Sequence, residues 1–129
     1  MLTTFLKRSS QKDHDVLVKQ VVVELLRLNS FSEICADLTG HSQPNRIYWE
    51  TTGEGHIPDV TAKGEHFCIF EVETYDSIEE SHTSDQWKLF AAFANQHNAV
   101  FYVVVPVGYK KQATQRLTAL GITAKVLEM

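Results

Sequence analysis

Residues 57–74 read IPDVTAKGEHFCIFEVET, a pattern that predicts two antiparallel strands joined by a short turn. Because the side chains of a strand alternate between its faces, Glu71 and Glu73 project to the same side. If the turn consists of residues 64–66, Asp59 lies directly opposite Glu71, with their Cβ atoms about 4.5–5.5 Å apart. This stretch therefore predicts three carboxylates at one place on a sheet.

Carboxylates this close repel one another, and the sequence leaves two interpretations open. Either a divalent cation or an altered protonation state compensates the repulsion, or the residues form no site and lie on the surface. Ligation by oxygen alone favours Mg²⁺ or Mn²⁺. Hydrolysis of a phosphodiester would need such an ion, to neutralise the phosphoryl oxygens and to generate hydroxide near neutral pH.

Composition indicates an ordinary globular protein with one domain, residues 1–129, of which 1–11 are expected to be flexible or loosely attached. No apolar run is long enough to span a bilayer, and we expect a cytoplasmic protein without a membrane partner. The net charge of −4 argues against broad nucleic-acid binding but leaves room for a local basic track. Two such tracks are Lys7, Arg8 and Lys12, and Lys110, Lys111 and Arg116.

Hydrophobic periodicity predicts an α/β fold in which helices flank a mixed sheet, in the order αβββαβαβ. In the first helix, Glu24 falls at the edge of the apolar stripe and could reach inward. In the second helix, Gln86 falls on the apolar face, where its amide needs either backbone carbonyls or a site as partner. The predicted helices are 12–29, 82–97 and 109–120, and the predicted strands are 46–52, 57–62, 66–74, 99–105 and 123–127.

This order of elements, with Pro58-Asp59 on the second strand and Glu71 and Glu73 on the third, resembles the PD-(D/E)XK nuclease superfamily. That superfamily includes restriction endonucleases and Holliday-junction resolvases, and the resemblance extends from Asp13 to Val105. It implies a three-layer, restriction-endonuclease-like core. It also implies Mg²⁺-dependent (or Mn²⁺-dependent) hydrolysis of phosphodiester bonds in nucleic acid, with DNA as the expected partner, and often a homodimer that cuts two strands.

The resemblance assigns roles to individual residues. Asp59 corresponds to the motif aspartate, Glu71 to its acidic partner and Glu24 to a glutamate on the first helix. These three would hold the metal together with the backbone carbonyl of Val72. Glu73 occupies the position of the motif lysine, so it would act as general base or recruit a second metal.

The missing lysine leaves more than one function open. Lys63 shares a face with Asp59 and is either a migrated lysine or part of an exposed turn. Gln86 resembles a glutamine of the exonuclease-like branches and is a further candidate catalytic residue. The chain is then an active nuclease, a catalytically inactive binding or assembly module of the same superfamily, or an unrelated α/β protein in which the match is coincidence.

Overall fold

A computed structural model describes the backbone of residues 2–129 and the side chains of residues 10–129. Within residues 2–129 the chain forms an α/β fold with three helices, a mixed five-stranded sheet and a separate two-stranded sheet. The helices are α1 (Leu2–Leu28), α2 (Ser81–His97) and α3 (Lys110–Leu120). The strands are β1 (Ser32–Ala36), β2 (Ile47–Tyr48), β3 (Gly55–His56), β4 (Val60–Lys63), β5 (Phe67–Val72), β6 (Val100–Val105) and β7 (Lys125–Glu128).

The larger sheet has the strand order β1-β4-β5-β6-β7. Strand β4 pairs antiparallel with both β1 and β5, whereas β6 pairs parallel with both β5 and β7. The predicted apolar strand at 99–105 is therefore β6, an interior strand. Strand β5 lies in the middle of the sheet, where it joins the antiparallel half to the parallel half.

Helices cover both faces of this sheet. The apolar stripe of α1 packs on one face, and its buried members are Leu17, Val18, Val21, Val22 and Leu25. Helices α2 and α3 pack on the other face, where their buried apolar side chains include Trp87, Leu89, Phe90, Ala94, Ala113 and Leu117. Because side chains alternate along β5, Phe70 and Val72 face α1, whereas Ile69 faces α2 and α3. The odd-numbered residues of β5 therefore point towards the side of α2.

The predicted second and third helices agree with α2 and α3 to within one residue. Gly121, which the sequence marks as the end of the third helix, has a φ of 68°. Its backbone N–H donates to the carbonyl groups of Leu117 and Thr118. A glycine adopts this left-handed conformation without steric cost, which explains why the helix ends there.

The predicted strand at 46–52 is wrong. Only residues 47–48 form a strand, which pairs with β3 in the small sheet and contributes nothing to the larger one. The edge strand β1 was not predicted, and the order along the chain is αβββββαβαβ. Strand β1 is irregular, because Glu33 has a φ of 49° and the pairing with β4 shifts between Ser32 and Cys35. This irregularity breaks the alternation by which a strand is recognised.

Helix α1 begins at Leu2 rather than near residue 12. Ser10 therefore lies inside the helix, and its hydroxyl hydrogen-bonds Thr74 Oγ1 at 2.9 Å and donates to Asp76 Oδ1 at 2.7 Å. The expected loose attachment of residues 1–11, and the basic side chains of Lys7 and Arg8, lie largely outside the described residues. Across the part of the chain that is described, no helix is both long enough and apolar enough to cross a membrane.

Replacing Gly55 with alanine is expected to lower the free energy of unfolding by about 1–3 kcal/mol. A Cβ at this position would overlap the carbonyl oxygen of Ile47 and lie 2.7 Å from Cβ of Tyr48. The matched control is Gly64→Ala, whose Cβ would lie 2.9 Å from the ring of Phe31, a side chain that can move. Urea denaturation measures both changes. An equal or larger loss in Gly64→Ala would contradict the packing of β2 against β3.

Candidate active site

The pairing of β4 with β5 brings Asp59 and Glu71 together. The register runs from Val60 opposite Phe70 to Lys63 opposite Phe67, as expected for a turn at residues 64–66. Continued by one residue, this register places Asp59 opposite Glu71. The Asp59 N–H donates to Glu71 Oε1 at 3.1 Å, so the two residues are in direct contact.

The carboxylate of Asp59 also takes part in the backbone pairing. Val72 N–H donates to Asp59 Oδ2 at 2.7 Å. Pro58 lies opposite Val72 when the same register is continued, and a proline has no N–H to donate to the Val72 carbonyl. The Asp59 carboxylate accepts the Val72 N–H where a backbone carbonyl of β4 would otherwise do so. This hydrogen bond to the main chain orients the Asp59 side chain.

Glu73 follows two residues after Glu71 and remains attached to the sheet, because its N–H donates to the carbonyl of Val104 at 2.8 Å. Both of its carboxylate oxygens accept hydrogen bonds. Ser77 Oγ donates to Oε1 at 2.8 Å, and Trp87 Nε1 donates to Oε2 at 2.9 Å. Glu73 is therefore held in one orientation by α2 and by the loop that precedes it.

All three carboxylates are buried, with Asp59, Glu71 and Glu73 retaining 9%, 3% and 4% of their exposure. They line a single pocket of about 460 Å³ that opens to solvent. Residues of α1, of the loop after β5 and of α2 form the rest of its wall. These further lining residues are Ser10, Gln11, His14, Val72, Thr74, Asp76, Ser77, Glu80, His82, Thr83 and Gln86.

Helix α1 contributes His14 to the site, a residue that was not among the predicted site residues. Its Nε2 lies 3.2 Å from Asp59 Oδ2, and its Nδ1 lies 3.2 Å from Asp15 Oδ1. His14 stands three and four residues before Leu17 and Val18, so it extends the apolar stripe of α1 by one turn. A titratable residue on the buried face of a helix is the signal that could have identified it.

Burial and mutual repulsion change the protonation of this group. Burial raises the pKa of Glu71 well above its usual range, and the charges of Asp59 and Glu73 raise it further. Burial also raises the pKa of Glu73 to about 8, although its two hydrogen bonds act in the opposite direction. For His14 burial lowers the pKa, but the hydrogen bonds and charges of Asp59 and Asp15 together outweigh this effect and bring the pKa to about 9. At neutral pH an imidazolium therefore accompanies Asp59.

Gln86 lines the pocket but is only half-buried, so it does not lie in the middle of the buried face of α2. The centre of that face is Trp87 and Phe90, both fully buried. The apolar face of α2 predicted from sequence is therefore rotated about the helix axis by about one residue from the face that is buried. Trp87 was not among the predicted site residues, yet its Nε1–H, together with Ser77, orients the carboxylate of Glu73.

Glu24 does not line the pocket, contrary to the expectation that it reaches inward. It lies on the surface of α1 and accepts a hydrogen bond from Arg27 Nε at 3.0 Å. Glu24 follows His14 by ten residues, which is about 15 Å along a helix axis. Lys63 is also remote, because it is exposed at the turn end of β4, whereas Asp59 precedes the other end.

The residues fit a hard divalent cation in part. No three His, Cys, Asp or Glu residues among those described are placed to hold a metal ion together. No N–H group of the described residues donates to Asp59 Oδ1 or Glu71 Oε2, in contrast to Glu73, although the carboxyl groups of Asp59 and Glu71 are within hydrogen-bonding distance of each other. Mg²⁺ commonly binds through one or two carboxylates and keeps several waters. Two adjacent carboxylates beside an open pocket match that pattern.

No protein family, curated protein or solved structure matches this chain.

Proposed function

We propose that this protein is a Mg²⁺- or Mn²⁺-dependent nuclease of the PD-(D/E)XK type, which hydrolyses phosphodiester bonds in nucleic acid, with DNA as the expected substrate. The observation that carries the proposal is the register that sets Asp59 against Glu71 at the base of an open pocket. Each of these two carboxyl groups accepts a backbone N–H, but burying them against each other costs free energy, which raises the pKa of Glu71. Perturbed groups of this kind are concentrated at functional sites.

The arrangement of the larger sheet also supports the proposal. When the two short strands β2 and β3 are set aside, the elements follow one another as αβββαβαβ. The first of these strands is then β1 instead of the strand predicted at 46–52. Helices on both faces and a mixed sheet are compatible with a restriction-endonuclease-like core. The carboxylates lie where β5, the middle strand, ends.

Asp59 and Glu71 would hold the cation, with the carbonyl of Val72 as a further candidate ligand. A bound Mg²⁺ would supply Lewis-acid stabilisation of the phosphoryl oxygens and lower the pKa of a water. In the metal-free protein Glu73 has a pKa of about 8 and holds a proton near neutral pH. The charge of a cation bound at Asp59 and Glu71 would favour ionised Glu73, which could then accept the proton of the attacking water. Trp87 and the loop after β5 keep Glu73 in place, so that a proton acceptor stands where the motif lysine would be.

His14 supplies the positive charge that the missing lysine would bring. Its imidazolium lies next to Asp59 and lines the pocket, so it can face the negative charge of a phosphate. The amide of Gln86 is a second donor that can contact a phosphate oxygen. With His14 and Gln86 in these roles, the proposed site does not need Lys63 or Glu24, which lie away from the pocket.

The second candidate function is an inactive binding or assembly module of the same type. It is favoured by one observation, which is that none of the described lysine or arginine residues lines the pocket. If the protein is a nuclease, His14 and Glu73 take over the functions of the missing lysine. If it is a binding or assembly module, the missing lysine reflects a loss of catalysis. A homodimer and a cytoplasmic location remain expectations under either function.

Cleavage assays with single-stranded, duplex and branched DNA distinguish the two functions. With Mg²⁺ or Mn²⁺ we expect cleavage that stops when the ion is chelated and that falls to background in Asp59→Asn. An asparagine can still accept the Val72 N–H through its amide oxygen, so this variant is expected to fold. Glu65→Gln, an exposed residue of the turn between β4 and β5, is the matched control and should cleave normally. Absence of cleavage on all substrates with both ions would reject the nuclease and favour the module.

A further inference from the structure

The small sheet of β2 and β3 displays aromatic side chains that the core does not use. Of the residues around β2, Ile47 is buried among the side chains that pack on α2, with 6% of its exposure remaining. Tyr48 and Trp49, which follow it, are 54% and 39% exposed. These strands form no part of the larger sheet, and both contact α2.

Two cationic groups accompany the aromatic side chains. Arg46 donates to the carbonyl of Gly53 at 2.6 Å, and its guanidinium carbon lies 5.7 Å from the centre of the Tyr48 ring. Lys88 is exposed on α2 and lines the same pocket of about 560 Å³ as Arg46 and Trp49. Neither cation takes part in an ion pair with any of residues 10–129.

This pocket adjoins the candidate active site. His56 lines the pocket that contains Arg46, Trp49 and Lys88, whereas His82 lines the carboxylate pocket. The centres of the two rings are 5.4 Å apart, in an edge-to-face arrangement. The two pockets are therefore adjacent, with the His56–His82 pair between them.

We propose that Arg46, Trp49 and Lys88, named here the hairpin surface, bind an unpaired strand of nucleic acid and direct it into the carboxylate pocket. The inference rests on the proposed nuclease function, to which it adds the class of substrate. A base can stack on the Trp49 indole only when it is unstacked from its neighbours, and guanidinium and ammonium groups contact the phosphates.

The charges around the hairpin surface favour one strand over a duplex. Glu54 and Asp85 line the same pocket, so the two cations there are balanced by two carboxylates. A duplex carries a phosphate charge about every 1.7 Å along its axis and would bring several of them close to these carboxylates. A flexible single strand can place individual phosphates beside Arg46 and Lys88 and turn the others towards solvent.

Binding of an oligodeoxythymidylate of about 12 nucleotides in EDTA tests the inference without cleavage. The strand should quench the fluorescence of Trp49, whereas Trp87 is fully buried and should respond little. We expect Trp49→Ala to weaken binding by about five- to a hundred-fold, and Trp49→Phe, which keeps a stacking ring, by less than about five-fold. Arg46→Ala with Lys88→Ala should reduce the slope of log K against log salt by about 1.4.

The exposed residue Lys19 on α1 provides the matched control, and Lys19→Ala should leave both affinity and salt slope unchanged. A blunt duplex of the same length should bind at least ten-fold more weakly than the single strand. Equal binding of the duplex, unchanged affinity in Trp49→Ala, or no binding at all would overturn the inference. Trp49-dependent binding without cleavage would support the strand-binding surface and reject the nuclease function. Cleavage that is unchanged in Trp49→Ala would support the nuclease function and reject the strand-binding surface.

Discussion

Trp87→Ala is expected to lower the free energy of unfolding by about 3–5 kcal/mol, as is usual for truncation of a fully buried aromatic side chain. Trp87 has no exposed surface and packs between α2 and the sheet. The substitution leaves a cavity and removes the N–H that donates to Glu73 Oε2. A buried acceptor without a partner adds to the cost of the cavity.

Two further variants separate these contributions. Trp87→Phe keeps a six-membered aromatic ring but not the N–H, and we expect a loss of about 1–3 kcal/mol, to which the lost hydrogen bond and a smaller cavity both contribute. Trp49→Ala removes the same side chain from a position that retains 39% of its exposure, so its effect on unfolding should be smaller, about 1–2 kcal/mol. Urea denaturation of the three proteins measures the differences. Equal losses in Trp49→Ala and Trp87→Ala would contradict the burial of Trp87.

The second large effect is a fall in stability as the pH rises, which we expect in the metal-free protein between about pH 5 and pH 9. The pKa of Glu73 is about 8 in the folded protein and 4.5 in the unfolded chain. Between these two pH values the folded state holds a proton that the unfolded state has released. The raised pKa of Glu71 acts in the same direction. Where the folded state binds more protons, stability decreases with pH by about 1.4 kcal/mol per unit for each proton.

His14 contributes with the same sign. Its pKa is raised from 6.5 to about 9, so its stabilising contribution is complete below pH 6.5 and is lost as the pH rises through about 9. The steepest decline is therefore expected between pH 6.5 and pH 8, where His14 and Glu73 act together. Acidic residues with lowered pKa values change the stability only below about pH 4.5, so a decline between pH 6.5 and pH 8 is diagnostic of raised pKa values.

Urea denaturation in EDTA at a series of pH values measures this dependence. Glu73→Gln can still accept the Trp87 N–H but cannot titrate, and its curve should be flatter between pH 5 and pH 8. Glu65→Gln, at an exposed position of the turn, should reproduce the slope of the unchanged protein. A stability that is constant or rises from pH 6.5 to pH 8 would contradict the protonation assigned to Glu73 and His14.

The register of β4 and β5 could be predicted from sequence because its determinants are local. A turn at residues 64–66 fixes which residues face each other, and the alternation of β5 then fixes the side on which Glu71 lies. The helices α2 and α3 could be predicted for a similar reason. Their periodicity and their ends at Asn98 and Gly121, both in the left-handed conformation, are properties of short segments.

The first strand could not be assigned in this way. Residues 46–52 have the β-branched and aromatic composition of a strand, yet they pair only with β3, whereas the less regular residues 32–36 occupy the edge of the larger sheet. Composition shows that a segment tolerates an extended backbone. It does not show which partner supplies the hydrogen bonds, because that depends on segments far along the chain.

The sequence by itself determined that Asp59 and Glu71 face each other and that Glu73 projects to the same side of the sheet as Glu71. Only the tertiary structure decided that His14, not Glu24, joins them from α1 and that Trp87 holds Glu73. The apolar stripe of α1 predicts which face of the helix is buried, but it repeats at every turn. Helix α1 is far longer than the strands, so its position along the sheet, set by packing, selects the turn that meets the carboxylates.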